Sequence, residues 1–309
     1  MSINILYCFD ENYNLQALTS MNSLLDEVSQ KVDIYIIHNN PDSFNSLSNN
    51  IESHKNTRSI TITKFEKENL NFPNVVNSHV SEATYYRLFI ESLLPNNLDN
   101  VLYLDADIIC VADPIKEVKA NFNNLSHSKK TVASTFEKFS PVEIKELETR
   151  LNIKGKNYFN AGVMFIDLEK WRKKSVESLS IEIIKEKNKE LKFWDQDILN
   201  IIFNQDVAEI SNSLNYIINI EKDTSIPKET RFIHYAGSFK PWTVRGAIEK
   251  NSIHYMEQFR KLGLGKFHLT HSWKVSSISY LVKSILSLKI KNTRYPFSFI
   301  FKVIRTLLK

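Results

Sequence analysis

Asn100-Val-Leu-Tyr-Leu-Asp105-Ala-Asp107 is the stretch from which the rest of the chain can be read. Four large apolar residues in succession, bounded by Asn100 and Asp105, predict a short buried strand that ends abruptly. Two carboxylates, two residues apart, stand at that end. In an open α/β sheet, ligands collect beyond the carboxyl ends of the strands. Extended backbone sends residues i and i+2 the same way, so both acids can turn toward one ion. Hard carboxylate oxygens suit Mn²⁺ or Mg²⁺, which commonly keep open positions for phosphate oxygens. A bare Asp-x-Asp is ordinarily a solvated cap; the buried strand ahead of it sets this one apart.

Upstream, residues 3–9 and 32–38 are β-branched apolar runs, each followed by a helix-compatible stretch, and residues 58–65 alternate in the same manner. This β-α-β-α-β order favours a parallel sheet covered by helices. Further along, residues 81–94 read as a helix stopped by Pro95, and residues 131–135 and 162–168 as strands. Residues 169–191 read as one amphipathic helix, with Asp195 placed to cap another that runs to about Asn204. The fold class is therefore α/β.

With 309 residues, 42% hydrophobic and 24% charged, the chain can bury a sizeable core and reads as one globular domain, residues 1–270, with an appendage, residues 271–309. Cys8 and Cys110 each lie in an apolar run, as buried thiols do, and imply a reducing compartment rather than a disulfide framework. The first residues lack a basic leader, and no run reaches the ~18 apolar residues of a spanning helix. A cytoplasmic protein, or one peripheral on the inner face of the membrane, is expected. Glycine is scarce, at six residues, and neither G-x-G-x-x-G nor a Walker sequence is present. A bound nucleotide would thus be held through a divalent cation rather than a glycine-rich loop.

His234-Tyr-Ala-Gly237-Ser-Phe-Lys240-Pro-Trp242 supplies complementary chemistry where a short strand, residues 231–235, opens into a loop. An imidazole completes the coordination of a borderline ion, Gly237 lets backbone approach a phosphate, and Lys240 brings a positive charge.

These pieces, with Asp10-Glu-Asn-Tyr13, His79-Val-Ser-Glu-Ala-Thr-Tyr-Tyr-Arg87, Asn157-Tyr-Phe-Asn160-Ala-Gly162 and Asp195-Gln-Asp-Ile-Leu-Asn200, resemble in order the family 8 retaining glycosyltransferases. Within that family they are similar to the bacterial lipopolysaccharide galactosyl- and glucosyltransferases. The resemblance spans about residues 3–242. It implies an A-type glycosyltransferase fold, a Rossmann-like mixed sheet flanked by helices, with a UDP-hexose donor, Mn²⁺ (or Mg²⁺) and transfer with retention. Position by position, it implies that Cys8, Asp10, Asn12, Tyr13, Ala106, Gly237 and Lys240 bind the nucleotide, and that Asp105, Asp107 and His234 bind the metal. Arg87, Asn160, Ala161, Asp195 and Gln196 would line the donor sugar, with Gln196, Asp195 and Arg87 catalytic, and His79 and Thr84 would lie at the acceptor mouth. A double displacement needs a nucleophile under the anomeric carbon. The neutral amide of Gln196 is a poor one, which favours same-face substitution through an oxocarbenium-like species. Phe136 falls at or near a position where bacterial members carry an acid, and Glu137 follows it.

Net charge is +5, yet after Glu257 come eleven Lys or Arg residues and no Asp or Glu, leaving about −6 on the first 257. This asymmetry points to a basic tail on an anionic surface and not to a nucleic-acid-binding domain. Phe299, Ile300, Val303, Ile304, Leu307 and Leu308 recur at helical spacing, with Lys302, Arg305 and Lys309 opposite. That pattern predicts a helix lying in an anionic membrane interface. Because every chemistry-bearing block precedes residue 243, the tail is expected to be separable from activity. Beside the transferase reading, two others fit: a non-catalytic glycan- or nucleotide-binding relative, and a sugar nucleotidyltransferase, although the glycine-rich loop of the latter is missing.

Overall fold

The computed structural model describes residues 2–66, 72–73, 81–222, 225–270 and 274–307. Along the chain lie β1 (Asn4–Phe9), α1 (Asn14–Glu27), β2 (Val32–His38), α2 (Pro41–Glu52), β3 (Thr57–Lys64), α3 (Ile90–Leu93), β4 (Asn100–Leu104) and β5 (Ile108–Cys110). There follow α4 (Ile115–His127), β6 (Val132–Ser134), α5 (Pro141–Leu151), β7 (Val163–Asp167), α6 (Leu168–Lys173), α7 (Val176–Lys187), α8 (Trp194–Phe203) and β8 (Val207–Glu209). The last elements are β9 (Tyr216–Ile217), β10 (Phe232–His234), α9 (Ile253–Lys261), α10 (Lys274–Leu286) and α11 (Pro296–Leu307).

Seven strands form one mixed sheet in the order β3-β2-β1-β4-β7-β6-β8. The first four are parallel, as the alternating β-α order requires, and β7 runs antiparallel between β4 and β6. The chain moves outward from β1 to β3 and then returns to place β4 on the other side of β1, which creates the topological switch point where α/β sheets bind ligands. Cys8 at the end of β1 and Asp105 just beyond β4 open onto it. A second sheet, β5-β10-β9, pairs His234 of β10 with Ile108 of β5 and so brings the imidazole to the Asp105-Ala-Asp107 turn.

Three local expectations are corrected. Residues 82–89 wind as a 3-10 helix before the single α-turn of α3. With about three residues per turn, positions i and i+3 eclipse, which aligns Thr84 and Arg87 toward one partner. The helix expected over 169–191 is two: it breaks at Ser175, whose φ is +54°. Trp171 and Val176 are both fully buried, and on a continuous helix five residues would set them about 140° apart. Asp195 does not cap α8. It sits in the first turn, while Asp197 takes the N–H groups of Lys192 (2.7 Å) and Phe193 (2.9 Å).

The face predicted for lipid on the last helix also turns out differently. Phe299 and Val303 are fully buried, and with Leu281 and Ile290 they belong to the same core as the central sheet. Phe299 meets the ring of Phe267 edge-on, centroids 5.4 Å apart. Leu308 and Lys309 lie outside the described residues.

Candidate active site

A cavity of about 440 Å³ opens at the switch point, lined by Cys8, Tyr13, Thr84, Arg87, Asp105, Ala106, Asp107, Asn160, Ala161, Asp195, Gln196, His234, Gly237 and Lys240 among others. The ends of β1, β4 and β10, the 3-10 helix and the start of α8 thus converge. Of the residues singled out from sequence, Asp10 and Asn12 stand apart from this lining. The Asp10 carboxylate accepts from the Asn12 N–H at 3.0 Å and caps the turn that presents Tyr13. His79 lies outside the described residues.

Asp105, Asp107 and His234 each offer a ligand atom within 4.8 Å of the others. Three features show that these residues fit a divalent cation. First, His234 Nδ1 lies 2.9 Å from Asn215 Oδ1. The Asn215 amide nitrogen is directed at Thr135 Oγ1 (2.9 Å) and Asn160 Oδ1 (3.0 Å), so its oxygen faces the imidazole. Nδ1 therefore carries the proton, and the Nε2 lone pair faces Asp107 Oδ1 at 3.3 Å. Fixing the tautomer through the remote ring nitrogen is what metal-binding histidines require. Second, Asp107 Oδ1 is buried without a hydrogen-bond donor, an orphaned acceptor of the kind that needs an explanation. Third, a Cβ at Gly162 would stand 2.3 Å from His234 Cε1 and 3.0 Å from Asp105 Oδ2. Only glycine leaves the space among these ligands open.

Charge in the site is arranged in pairs around this triad. Arg87 Nη2 contacts Asp105 Oδ1 at 2.8 Å, and its Nε contacts Asp195 Oδ2 at 3.0 Å. The guanidinium also donates to the Ala161 carbonyl (2.8 Å) and covers the Tyr103 ring at 4.3 Å. Tyr103 in turn donates to Asp105 Oδ1 at 2.6 Å. Lys240 contacts Asp107 and donates to the Tyr235 carbonyl at 2.7 Å. Burial opposes the charge on Asp107, and the Lys240 ammonium leads the opposing attraction that holds the carboxyl below the usual range. Asp195 behaves in the opposite way: burial lifts it to about 6, against the pull of Arg87 and Thr84. Two cations thus face three carboxylates, an excess of negative charge suited to a further cation.

The remaining walls carry polar groups at defined positions. Gln196 Oε1 accepts the Ala161 N–H at 3.0 Å, so the amide is oriented before anything binds. Asn160 donates to Glu137 Oε1 at 2.8 Å. It is therefore Glu137, and not Phe136, that carries an acid to the cavity. Gly237, at φ +80°, takes a left-handed conformation with open space where a side chain would project. Trp194, also at positive φ (+48°), lines the cavity beside Asp195, and such strained backbone persists where surrounding structure enforces it. Reading the sequence missed Asn215, Gly162 as part of the cradle, and the Tyr103 hydroxyl. Only Gly162 carried any signal, as a member of the Asn157 to Gly162 block.

Comparison with known proteins agrees with this geometry. The sequence pattern of glycosyl transferase family 8 matches residues 4–245. The lipopolysaccharide 1,2-glucosyltransferase of Escherichia coli (strain K12) is 28% identical over 256 residues, 78% of this chain and 72% of that protein. Glycosyltransferase GlyF of Streptococcus pneumoniae is 24% identical over 314 residues, 92% of this chain and 73% of its own length. The crystal structure of the galactosyltransferase LgtC, in complex with donor and acceptor sugar analogs, matches with a TM-score of 0.69 at 21% identity, over 90% of this chain and 100% of that one. The last comparison establishes a shared fold.

Proposed function

We propose, from the premise that this chain belongs to glycosyl transferase family 8, that it moves galactose or glucose from a UDP-sugar to an oligosaccharide or glycolipid acceptor of the cell surface, with an α-linkage. As a member of that family it is an enzyme, and the nucleotidyltransferase and non-catalytic alternatives are set aside. The observation that carries the reading is the Asp105, Asp107, His234 triad at the β1/β4 switch point, with its histidine tautomer fixed by Asn215.

Mn²⁺ or Mg²⁺ held there would supply Lewis-acid stabilisation of a departing diphosphate. The chain's own residues do the rest. Lys240, on the loop that Gly237 opens, brings a second positive charge to the same place, a preorganised cation at the point where negative charge develops. Tyr13, packed edge-on against Trp242 at 6.1 Å, offers a ring face for a base. Arg87 ties Asp195 to Asp105 in a fixed frame, so that in this reading the Asp195 carboxylate meets a sugar hydroxyl while Asp105 serves the metal. Gln196 keeps its carbonyl toward the cavity by anchoring on Ala161, where its oxygen can steady a positively charged anomeric centre; its neutrality favours same-face substitution over a covalent intermediate. Glu137 and Thr84 both line the cavity, and in this reading they meet the acceptor hydroxyl. In this reading residues 1–270 carry the chemistry and residues 271–309 hold the enzyme on the inner face of the membrane. No helix among the described residues is long and apolar enough to cross a membrane.

The test is a screen of UDP-sugars for metal-dependent UDP release, alone and with candidate oligosaccharides, using the native enzyme beside Asp105→Asn and Asp107→Asn. Undiminished release in excess chelator would refute the reading.

A further inference from the structure

Asp197, in the first turn of α8, is fully buried, and four donors converge on its carboxylate. Its Oδ2 accepts from the backbone N–H groups of Lys192 (2.7 Å) and Phe193 (2.9 Å) and from Arg150 Nη1 (2.7 Å). Its Oδ1 accepts from the Tyr158 hydroxyl at 2.7 Å. Arg150 reaches in from α5 with its side chain 9% exposed, and the same Nη1 also donates to the Glu190 carbonyl at 2.7 Å. A buried ion pair adds little stability over apolar packing, so what this one specifies is the question. Asp197, Arg150 and Tyr158 all lie outside the lining of the cavity.

The Tyr158 hydroxyl has one proton to give. A carboxylate can only accept, so that proton goes to Asp197, and toward Gln196 Nε2, at the long distance of 3.4 Å, the same oxygen can only accept. Burial first, and then the Asp197 carboxylate, push the phenol well above its ordinary range, which keeps the proton in place. The Gln196 amide is thereby told which way round to sit, with Nε2 on Tyr158 and Oε1 on the Ala161 N–H. Lys192 and Phe193, whose N–H groups Asp197 holds, immediately precede Trp194, whose φ of +48° needs enforcement from its surroundings. We propose that Asp197, charge-paired with Arg150 and relayed by Tyr158, is a positioning residue that sets the orientation of the Gln196 amide and the path of the chain into Asp195. It acts through those two and touches no reacting atom. The inference rests on the part given to Gln196 in the transferase reading and adds the device that aims it.

Asp197→Asn tests the relay. Three donors meet at Oδ2, so the new amide keeps its oxygen there and turns its nitrogen to Tyr158. The hydroxyl must then accept from that nitrogen and send its own proton toward Gln196, which can receive it only by taking its oxygen away from Ala161. In the full-length protein kcat should fall by roughly 100-fold, close to the loss of a preorganised contact outright, with KM changed by less than about threefold. Tyr158→Phe, which removes one hydrogen bond and misdirects nothing, should lower kcat by only about 3–10-fold. The double variant should recover to within about threefold of Tyr158→Phe alone, a coupling that independent structural losses would not show. In isotopically labelled protein the Gln196 side-chain amide resonance, identified by its absence from Gln196→Ala, should move in both single variants. A double variant no better than Asp197→Asn, or a resonance that stays put, overturns the proposal; if Asp197→Asn does not fold, the resonance in Tyr158→Phe decides. That resonance needs no turnover. A parent protein that releases no UDP while the resonance moves refutes the transferase reading and supports the relay, and a parent that releases UDP while the double variant is not rescued refutes the relay alone.

Discussion

His234 donates through Nδ1 to Asn215 Oδ1 at 2.9 Å, and Asn215 can only accept there because its own amide nitrogen donates to Thr135 and Asn160. The side chain behind the histidine thus decides which ring nitrogen faces the two carboxylates.

Asn215→Ala should therefore weaken Mn²⁺ binding by about 10–100-fold, the usual cost of losing such an orienting partner, in a protein that stays folded but loses roughly 1–3 kcal/mol for the buried groups left unpaired. Calorimetric titration of Mn²⁺ into the two proteins measures this. Equal affinities would mean that the imidazole holds its tautomer without help.

Gly162→Ala tests the space itself. Its new methyl would need to occupy a point 2.3 Å from His234 Cε1, so the ring or the Asp105 carboxylate must move. Mn²⁺ binding, followed by electron paramagnetic resonance, should be lost or weakened at least tenfold while the circular dichroism spectrum is retained; unchanged binding would show that the ion sits elsewhere.

These two residues also show where reading the sequence stopped. The strand at residues 32–38 and the acids at 105 and 107 were legible, because hydrophobic runs and chemistry-bearing residues at strand ends are local patterns. Asn215 was not, since it precedes a two-residue strand and reaches His234 only because β9 pairs with β10. Tyr103 read as one more apolar residue of β4, yet its hydroxyl holds Asp105. The tail shows a different limit. Periodicity reports that one face of a helix is apolar and says nothing of what covers it, so Phe299 and Val303 suited lipid and core equally well.

A pH profile should expose Asp195. Burial raises its carboxyl from 3.8 to about 6, so the folded protein holds this proton more tightly than the unfolded chain does. Its contribution to stability is accordingly greatest at low pH and is lost as pH rises through about 6, while the Arg87 contact needs the ionised form. Activity runs the other way: kcat/KM should fall below a limb near pH 6. In Asp195→Asn that limb should vanish and leave a low, flat rate. A limb unaltered by the substitution would assign it to another group.

Gln196→Ala removes an amide whose oxygen is already fixed by Ala161 and whose nitrogen is 3.4 Å from the Tyr158 hydroxyl. A preorganised contact of this kind acts mainly in the transition state, so kcat should fall by about 10²–10³ with KM little changed. Nuclear magnetic resonance of the native enzyme's product should show an α-linkage from the α-linked donor; a β-linkage would refute retention.

Deleting residues 271–309 would be the obvious way to separate lipid binding from chemistry, and the packing argues that it will fail. Leu281, Ile290, Phe299 and Val303 are buried in the same core as the central sheet. At ~1.5–3 kcal/mol for each large apolar side chain, their removal forgoes roughly 6–12 kcal/mol as an upper estimate, comparable with the ~5–15 kcal/mol that holds a typical domain together. The deletion also takes Tyr280 from Arg245, whose guanidinium lies 4.9 Å from that ring and 4.4 Å from the ring of Phe239, next to Lys240. The truncated chain should therefore melt far below the parent and lose UDP release even at temperatures where it stays folded, because the loop from Gly237 to Lys240 has lost its outer support. Phe299→Ala alone should cost about 3–5 kcal/mol in urea unfolding. Should the truncated protein melt with the parent and turn over at the same rate, the tail is a separable appendage and the buried contacts of Phe299 and Val303 carry little of the stability.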